Sequence, residues 1–399
     1  MNSVSFKAKN ISPSITLNLS AMAAKLKQDG ADIVSFTAGE PDFNTPNFIV
    51  EAAKIAMDKG FTRYTATAGI LPLREAICTK LKKDNNLDYT PSQIVVSNGA
   101  KHSLYNAFAA ILNDGDEVLV PSPYWLTYPE VIKINGGIPK IIDLCTEKDF
   151  KLTPKILESA ISKKTKAIIL NNPSNPSGIV YTKSELEALC AEIEKAGIYL
   201  VSDEIYEKLI YDNIEYYSPA QFSNKLKNKT ILINGLSKSH AMTGWRMGYS
   251  ASNIELADAM VNIQSHVTSN PNTIAQYAAL EALTNLQGDK FLADLKEVFA
   301  ARRDYLCSFL DKANIKYVRP NGAFYVMVDV SPYFNKTIAS VAISSAADFS
   351  CALVEKAKLV TIPLEDFGAS NYIRLSYCLK DNEIEKGVNR LKEFIKFSH

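Results

Sequence analysis

Residues 94–112 read Ile94-Val95-Val96-Ser97-Asn98-Gly99-Ala100-Lys101-His102-Ser103-Leu104-Tyr105-Asn106-Ala107-Phe108-Ala109-Ala110-Ile111-Leu112. A short β-branched run, suited to a buried pleated surface, meets a turn of small polar residues, and a helical pattern follows from Lys101 to Leu112. The unit recurs along the chain. Glu117–Val120, Lys166–Leu170, Ile198–Val201 and Thr230–Ile233 read as further strands, and Gly248-Tyr249-Ser250 as the end of one more. Helical segments such as Ser184–Lys195 lie between them, with Thr182 or Ser184 as the N-cap. Strand, turn and helix in alternation predict an α/β domain around a mostly parallel sheet. After about residue 285 the pattern changes to a long charged helix, Asp289–Leu310, and strands near Ala323–Val330 and Tyr372–Ser376. This predicts a large domain over residues 46–285 and a smaller α+β domain from residues 1–45 and 286–399. A chain of 399 residues is longer than one core usually supports.

The balance of 44 basic against 43 acidic residues gives a formal charge of +1. Whole-molecule attraction to nucleic acid or an anionic membrane is therefore not expected, though a local basic pocket is compatible with it. Six scattered cysteines without a C-x-x-C pair, and four histidines without ligand spacing, predict no metal site and fit a reducing cytoplasm. Met1–Lys9 is polar and no apolar run follows it, so neither a signal peptide nor a bilayer span is expected.

In a parallel α/β sheet, ligands sit beyond the carboxyl ends of the strands. The unusual polar residues fall there. Ser237-Lys238 follows one strand, with Gly244-Trp245-Arg246 shortly after. A buried lysine loses proton affinity and becomes a nucleophile, and an arginine suits bidentate phosphate recognition. Ser202-Asp203-Glu204-Ile205-Tyr206 follows another strand, where an acid can meet a protonated ring nitrogen and a tyrosine can donate to a phenolate oxygen. The bland alternative has Asp203 capping a helix and Tyr206 in the core. Asn171-Asn172-Pro173-Ser174-Asn175-Pro176-Ser177-Gly178 predicts a stiff, extended segment that fixes the Asn175 amide, with an ordinary Asn/Pro/Gly turn as the bland alternative. Gly99 and Ala100 open a helix whose N-terminal N–H groups suit a phosphate. Trp125, in the Pro121–Trp125 loop, can stack on a planar ligand. Gly39 lies in the turn-forming run Phe36–Phe43, and Arg374 sits inside the apolar strand Tyr372–Ser376, where it needs an anion.

A lysine nucleophile, a ring-nitrogen acid, a phenolate donor, a phosphate cup and a carboxylate clamp are what a pyridoxal-phosphate (PLP) reaction requires of a protein. With these motifs in order from Pro13-Ser14 to Arg374, the chain resembles the class I aminotransferases of PLP fold type I, in particular the bacterial aspartate aminotransferase branch called Ib. The resemblance implies a large domain with a seven-stranded sheet and a homodimer with shared active sites. It implies Lys238 as the Schiff-base lysine, Asp203 on the pyridinium nitrogen and Tyr206 on the phenolate oxygen. Trp125 would stack on the ring, while Gly99, Ala100, Ser237 and Arg246 would hold the phosphate. Asn175 would touch both cofactor and substrate, and Arg374, helped by Gly39, would clamp the α-carboxylate. Tyr64 would reach the neighbouring subunit's phosphate. Lys101 and Thr16 would recognise the side-chain carboxylate of aspartate.

The activity so implied is ping-pong transamination of L-aspartate with 2-oxoglutarate. An aromatic, kynurenine or broad-specificity aminotransferase, or a PLP lyase, is the alternative of the same fold. A regulator's sensor domain is disfavoured, because the 35 residues before Phe36 are too few for a winged helix. Four positions depart from the family pattern. Ser12 stands where prephenate-using members carry lysine, Ala100 replaces a common glycine, and His102 a common glutamine. Leu364, also in place of a glycine, is expected near the substrate entrance.

Overall fold

The computed structural model describes residues 4–13, 15–145 and 148–396, so that Ser14 and His399 lie outside the described residues. Its centre is a seven-stranded sheet in the order Ile94–Asn98, Met247–Ala251, Thr230–Gly235, Tyr199–Asp203, Thr165–Asn171, Glu117–Pro121, Ile138–Ile142. Met247–Ala251 runs antiparallel to both neighbours, and the other pairings are parallel. Central strands of such a sheet are covered on both faces and read as continuous apolar runs. Ile231, Leu232 and Ile233 are accordingly all fully buried, with their side chains alternating between two apolar clusters.

The helices cover the sheet. Lys183–Ala196 starts at a capping box in which Thr182 and Glu185 satisfy each other's backbone N–H, which settles the N-cap on Thr182. It ends on Gly197 at φ 69°, a left-handed position that glycine takes without steric cost. The expected helix at 289–310 spans Gln287–Lys312 and buries Leu295, Phe299, Leu306 and Leu310, one stripe at helical spacing. That stripe packs on a second sheet, fully antiparallel, in the order Ile362–Pro363, Tyr372–Ser376, Tyr325–Asp329, Tyr317–Val318. Phe299 lies with Phe36, Phe324 and Tyr377 in this core, where truncation to alanine should cost about 3–5 kcal/mol.

Two expectations are corrected. The strand placed at Ala323 begins at Tyr325, because Ala323 is left-handed at φ 56° and cannot continue a strand. The expected strand at 248–250 spans Met247–Ala251; a Cβ on Gly248 would fall 2.2 Å from the Ala100 nitrogen, so the absent side chain lets the 99–100 turn pack on the strand. The Asn171–Gly178 segment turns instead of extending. Asn175 N–H donates to Asn171 Oδ1 at 2.7 Å and Gly178 N–H to the Ser174 carbonyl at 2.9 Å, closing the chain on itself. The Asn172–Pro173 and Asn175–Pro176 peptides are cis. Among the described residues no helix is long and apolar enough to cross a membrane.

Candidate active site

The sheet's register assembles the site. Asn171 and Asp203 are paired neighbours at the ends of adjacent parallel strands, and Asp203 pairs in turn with Ile233. Beyond the end of Thr230–Gly235 come Ser237 and Lys238. The antiparallel strand delivers Arg246 to the same edge, since Met247, where it begins, faces Asn98, where Ile94–Asn98 finishes. From the second sheet comes Arg374, flanked by Met327 and Ile362 in the central strand.

These elements enclose a cavity of about 260 Å³. Twelve of the fourteen expected site residues line it: Thr16, Gly39, Ala100, Lys101, Trp125, Asn175, Asp203, Tyr206, Ser237, Lys238, Arg246 and Arg374. Gly99 is immediately behind, at φ 83°, where a Cβ would stand 2.5 Å from Arg246 Nη2; only glycine lets the guanidinium close over this turn. Tyr64 is not brought to the cavity. It is 89 % exposed, in a surface depression with Asn270 and Thr273.

At the floor, Lys238 Nζ donates to the Gly39 carbonyl at 2.5 Å. Burial lowers its ammonium from the ordinary 10.5 to about 8, with Arg246 and Arg374 pushing the same way against Glu40. Asp203 is 2 % exposed, and burial raises its carboxyl to about 6 while the Tyr128 hydroxyl, donating at 2.6 Å, opposes the rise. Asp203 caps no helix; its other oxygen accepts from Ile205 N–H at 3.3 Å. The Tyr206 and Tyr325 hydroxyls are 3.1 Å apart, and burial first, then Tyr325, holds the Tyr206 phenol well above its usual range.

Arg246 spends its guanidinium on carbonyls, Thr243 at 2.9 Å and Asn98 at 3.5 Å, and leaves the helix N-terminus at Ala100 beside it. Arg374 is 2 % exposed, donates to Asn175 Oδ1 at 2.8 Å, and keeps a buried Nε without a partner. Lys101 holds its ammonium 4.8 Å above the Trp125 ring, and burial followed by Arg246 lowers its pKa. The cavity thus offers an arginine and helix N–H groups suited to a phosphate, a second arginine suited to a carboxylate, and a weakly basic amine.

The class I and II aminotransferase family model matches residues 31–391. The chain belongs to this family. As an aminotransferase it is 45 % identical over 391 residues to the aspartate aminotransferase of Bacillus sp. (strain YM-2), with 98 % of each chain covered. It is 43 % identical, again with 98 % of each covered, to a probable aspartate/prephenate aminotransferase of Aquifex aeolicus. A solved aspartate aminotransferase of Thermus thermophilus with maleate superposes at a TM-score of 0.93, with 40 % identity and 99 % and 100 % of the two chains covered. The fold is thus that of the fold-type I aminotransferases, as the resemblance implied.

Sequence reasoning missed Tyr128, Asn171, Thr243 and Tyr325, which also line the aminotransferase pocket. Tyr128 sits in an amphipathic helix, Thr127–Ile134, and Tyr325 in an apolar strand, so both look like core. His102 accepts the Asn98 N–H at 3.3 Å and so props the turn before Gly99. Leu364 is fully buried with Phe367 and Met327, in an apolar cluster against which the cavity-lining Trp125 packs.

Behind the turn 235–240 is a second cavity, of about 340 Å³, lined by Lys80, Lys83, Lys208, Asp84, Glu207 and Asp289 among others. Lys80 bonds Glu207, Lys208 meets Asp84 at 2.8 Å and Lys83 meets Asp289 at 3.2 Å.

Proposed function

We propose that the chain transfers the amino group of L-aspartate to 2-oxoglutarate, yielding oxaloacetate and L-glutamate, with PLP as cofactor and two copies of the chain sharing their sites. The observation that carries this is a cavity with four cationic side chains against one carboxylate, and a lysine of lowered pKa among them. The residues fit the cofactor. Gly99 lets the Arg246 guanidinium close over its turn and Gly248 lets that turn pack on the strand, which sets Arg246, Ser237 and the Ala100 helix start along one cavity with Asp203, which ends its own strand there. These groups would hold the phosphate and the ring nitrogen, Tyr206 and Asn175 the phenolic oxygen, and Trp125 the ring face.

When bound, PLP supplies an electron-accepting ring. The remaining work belongs to the chain. Arg374 and Asn175 grip the α-carboxylate and so fix the direction of the substrate's Cα–H bond. Lys238 Nζ, neutral in a useful fraction near pH 8, takes the Cα proton. Asp203 is ionised above about pH 6 and keeps a proton on the group it faces. Lys101 and Thr16 take the side-chain carboxylate, and Ser12 disfavours prephenate. Tyr64 completes the neighbour's site, and its exposure leaves it free to do so. The same reading divides the chain into residues 46–285 and residues 1–45 with 286–399. Its cysteines, free throughout, suit a cytoplasmic setting.

The test is to load the protein with PLP, reduce it with borohydride and map the labelled peptide. The label should fall on Lys238. Labelling elsewhere, or none, overturns the proposal.

A further inference from the structure

Tyr325 belongs to the second sheet, on the strand beside that of Arg374. Their register pairs Met327 with Arg374 and Tyr325 with Ser376, so Tyr325 and Arg374 are diagonal neighbours on one face. The guanidinium carbon lies 4.1 Å from the centroid of the Tyr325 ring. The Tyr325 hydroxyl meets that of Tyr206, and both side chains are buried. We propose that Tyr325 is a positioning residue: it donates its hydroxyl proton to Tyr206, so that the Tyr206 proton points into the pocket, and its ring holds the Arg374 guanidinium in plane. This rests on the cofactor reading above.

Two hydroxyls in one hydrogen bond use one proton and leave the other free. If Tyr206 donated, it would turn only lone pairs toward a ligand oxygen. If Tyr325 donates, the Tyr206 O–H is released to bind that oxygen and is polarised by the bond it receives. Arg374 favours the second arrangement, because a cation over the Tyr325 face draws electrons from the phenol and strengthens it as a donor. The Tyr206 ring instead meets that of Phe324 in a T-shaped pair, centroids 5.4 Å apart. The carboxylate clamp and the phenol donor are thereby joined through one side chain, although Asn175 and Tyr206 were the contacts legible in the sequence.

The test uses the PLP-loaded protein and two readouts: the pH midpoint of the cofactor's visible absorbance, and the affinity for succinate, a dicarboxylate without an amine. Tyr325→Phe should raise the midpoint by roughly half a unit to one unit while leaving succinate affinity within about twofold. Tyr325→Leu, which also removes the ring beneath Arg374, should weaken succinate by about 3- to 10-fold. In a Tyr206→Phe background, Tyr325→Phe should move the midpoint no further, since its effect passes through the missing hydroxyl. An unmoved midpoint in Tyr325→Phe, or a full shift without the Tyr206 hydroxyl, overturns the proposal. A protein with no visible band at any pH overturns the cofactor reading, and this inference with it.

Discussion

The cavity entered by Lys238 and the one lined by Lys80 and Lys208 share a wall, the turn 235–240, and treat charge in opposite ways. The rear cavity sets three lysines against three carboxylates and pairs them. Asn85 adds a bond to Glu207 at 2.7 Å. The front cavity sets Lys101, Lys238, Arg246 and Arg374 against Asp203 alone, and the hydrogen bonds of Lys238, Arg246 and Arg374 go to carbonyl and amide oxygens. Lys101 and Arg246 are exposed and Lys238 is half-buried, so the cost of burying a charge without a counter-ion falls chiefly on Arg374, which marks it as a ligand-binding group. The rear network holds helix Leu71–Asn85 to the turn that carries Glu207, whereas under the proposed function the front one takes up a phosphate and two carboxylates.

The contrast is broken most severely by removing a front cation. Arg374→Ala should lower kcat/KM roughly 30- to 1,000-fold, for aspartate and other amino acids alike, while thermal unfolding stays near that of the parent. If only aspartate suffers, Arg374 is not the α-carboxylate clamp. Glu207→Gln attacks the rear network and should do the reverse. Lys80, whose side chain is only 10 % exposed, keeps Asn85 Oδ1 at 2.8 Å and Asp84 at 3.7 Å, so losing the Glu207 charge should cost about 1–2 kcal/mol of stability with aspartate kcat/KM held within about twofold. A large kinetic loss without destabilisation would make the rear cavity part of the site.

Asp203 sharpens the comparison through pH. Burial raises its carboxyl from 3.8 to about 6. Between those values the folded protein holds a proton that the unfolded chain has released, so stability falls as pH rises through that window and stays lower above it. In cofactor-free protein, Asp203→Asn should therefore be more stable than the parent by about 2–3 kcal/mol at pH 8, with the gain shrinking towards pH 4. A pH-independent difference in denaturant midpoints would contradict the assignment. The smallest effect is expected at the rim, where Lys101→Ala should reduce aspartate kcat/KM by about 5- to 10-fold and leave alanine nearly unchanged.

How much of this was legible follows from where each residue lies. Asp203, Lys238 and Arg246 stand out because polar residues interrupt apolar strands at their ends, and the parallel register carries those ends together. Arg374 is legible for the same reason inside its strand. Tyr128 and Tyr325 are not, because a tyrosine on an apolar helix or strand carries no mark of whether its hydroxyl meets a functional group. Lys80 and Glu207, 127 positions apart, look like any solvated charges until the fold joins them. The turn at Asn175 was misread because proline preferences describe single residues, whereas the Asn171 side chain and the Gly178 N–H decide the path.

Aspartate supplied to the purified, PLP-loaded protein without any 2-oxo acid tests the central claim most directly. A ping-pong aminotransferase should release about one oxaloacetate per subunit in a single burst, shift the cofactor absorbance to its amino form, and return to the start on addition of 2-oxoglutarate. Oxaloacetate appearing only when both substrates are present, or continuous turnover of aspartate to another product, would contradict it.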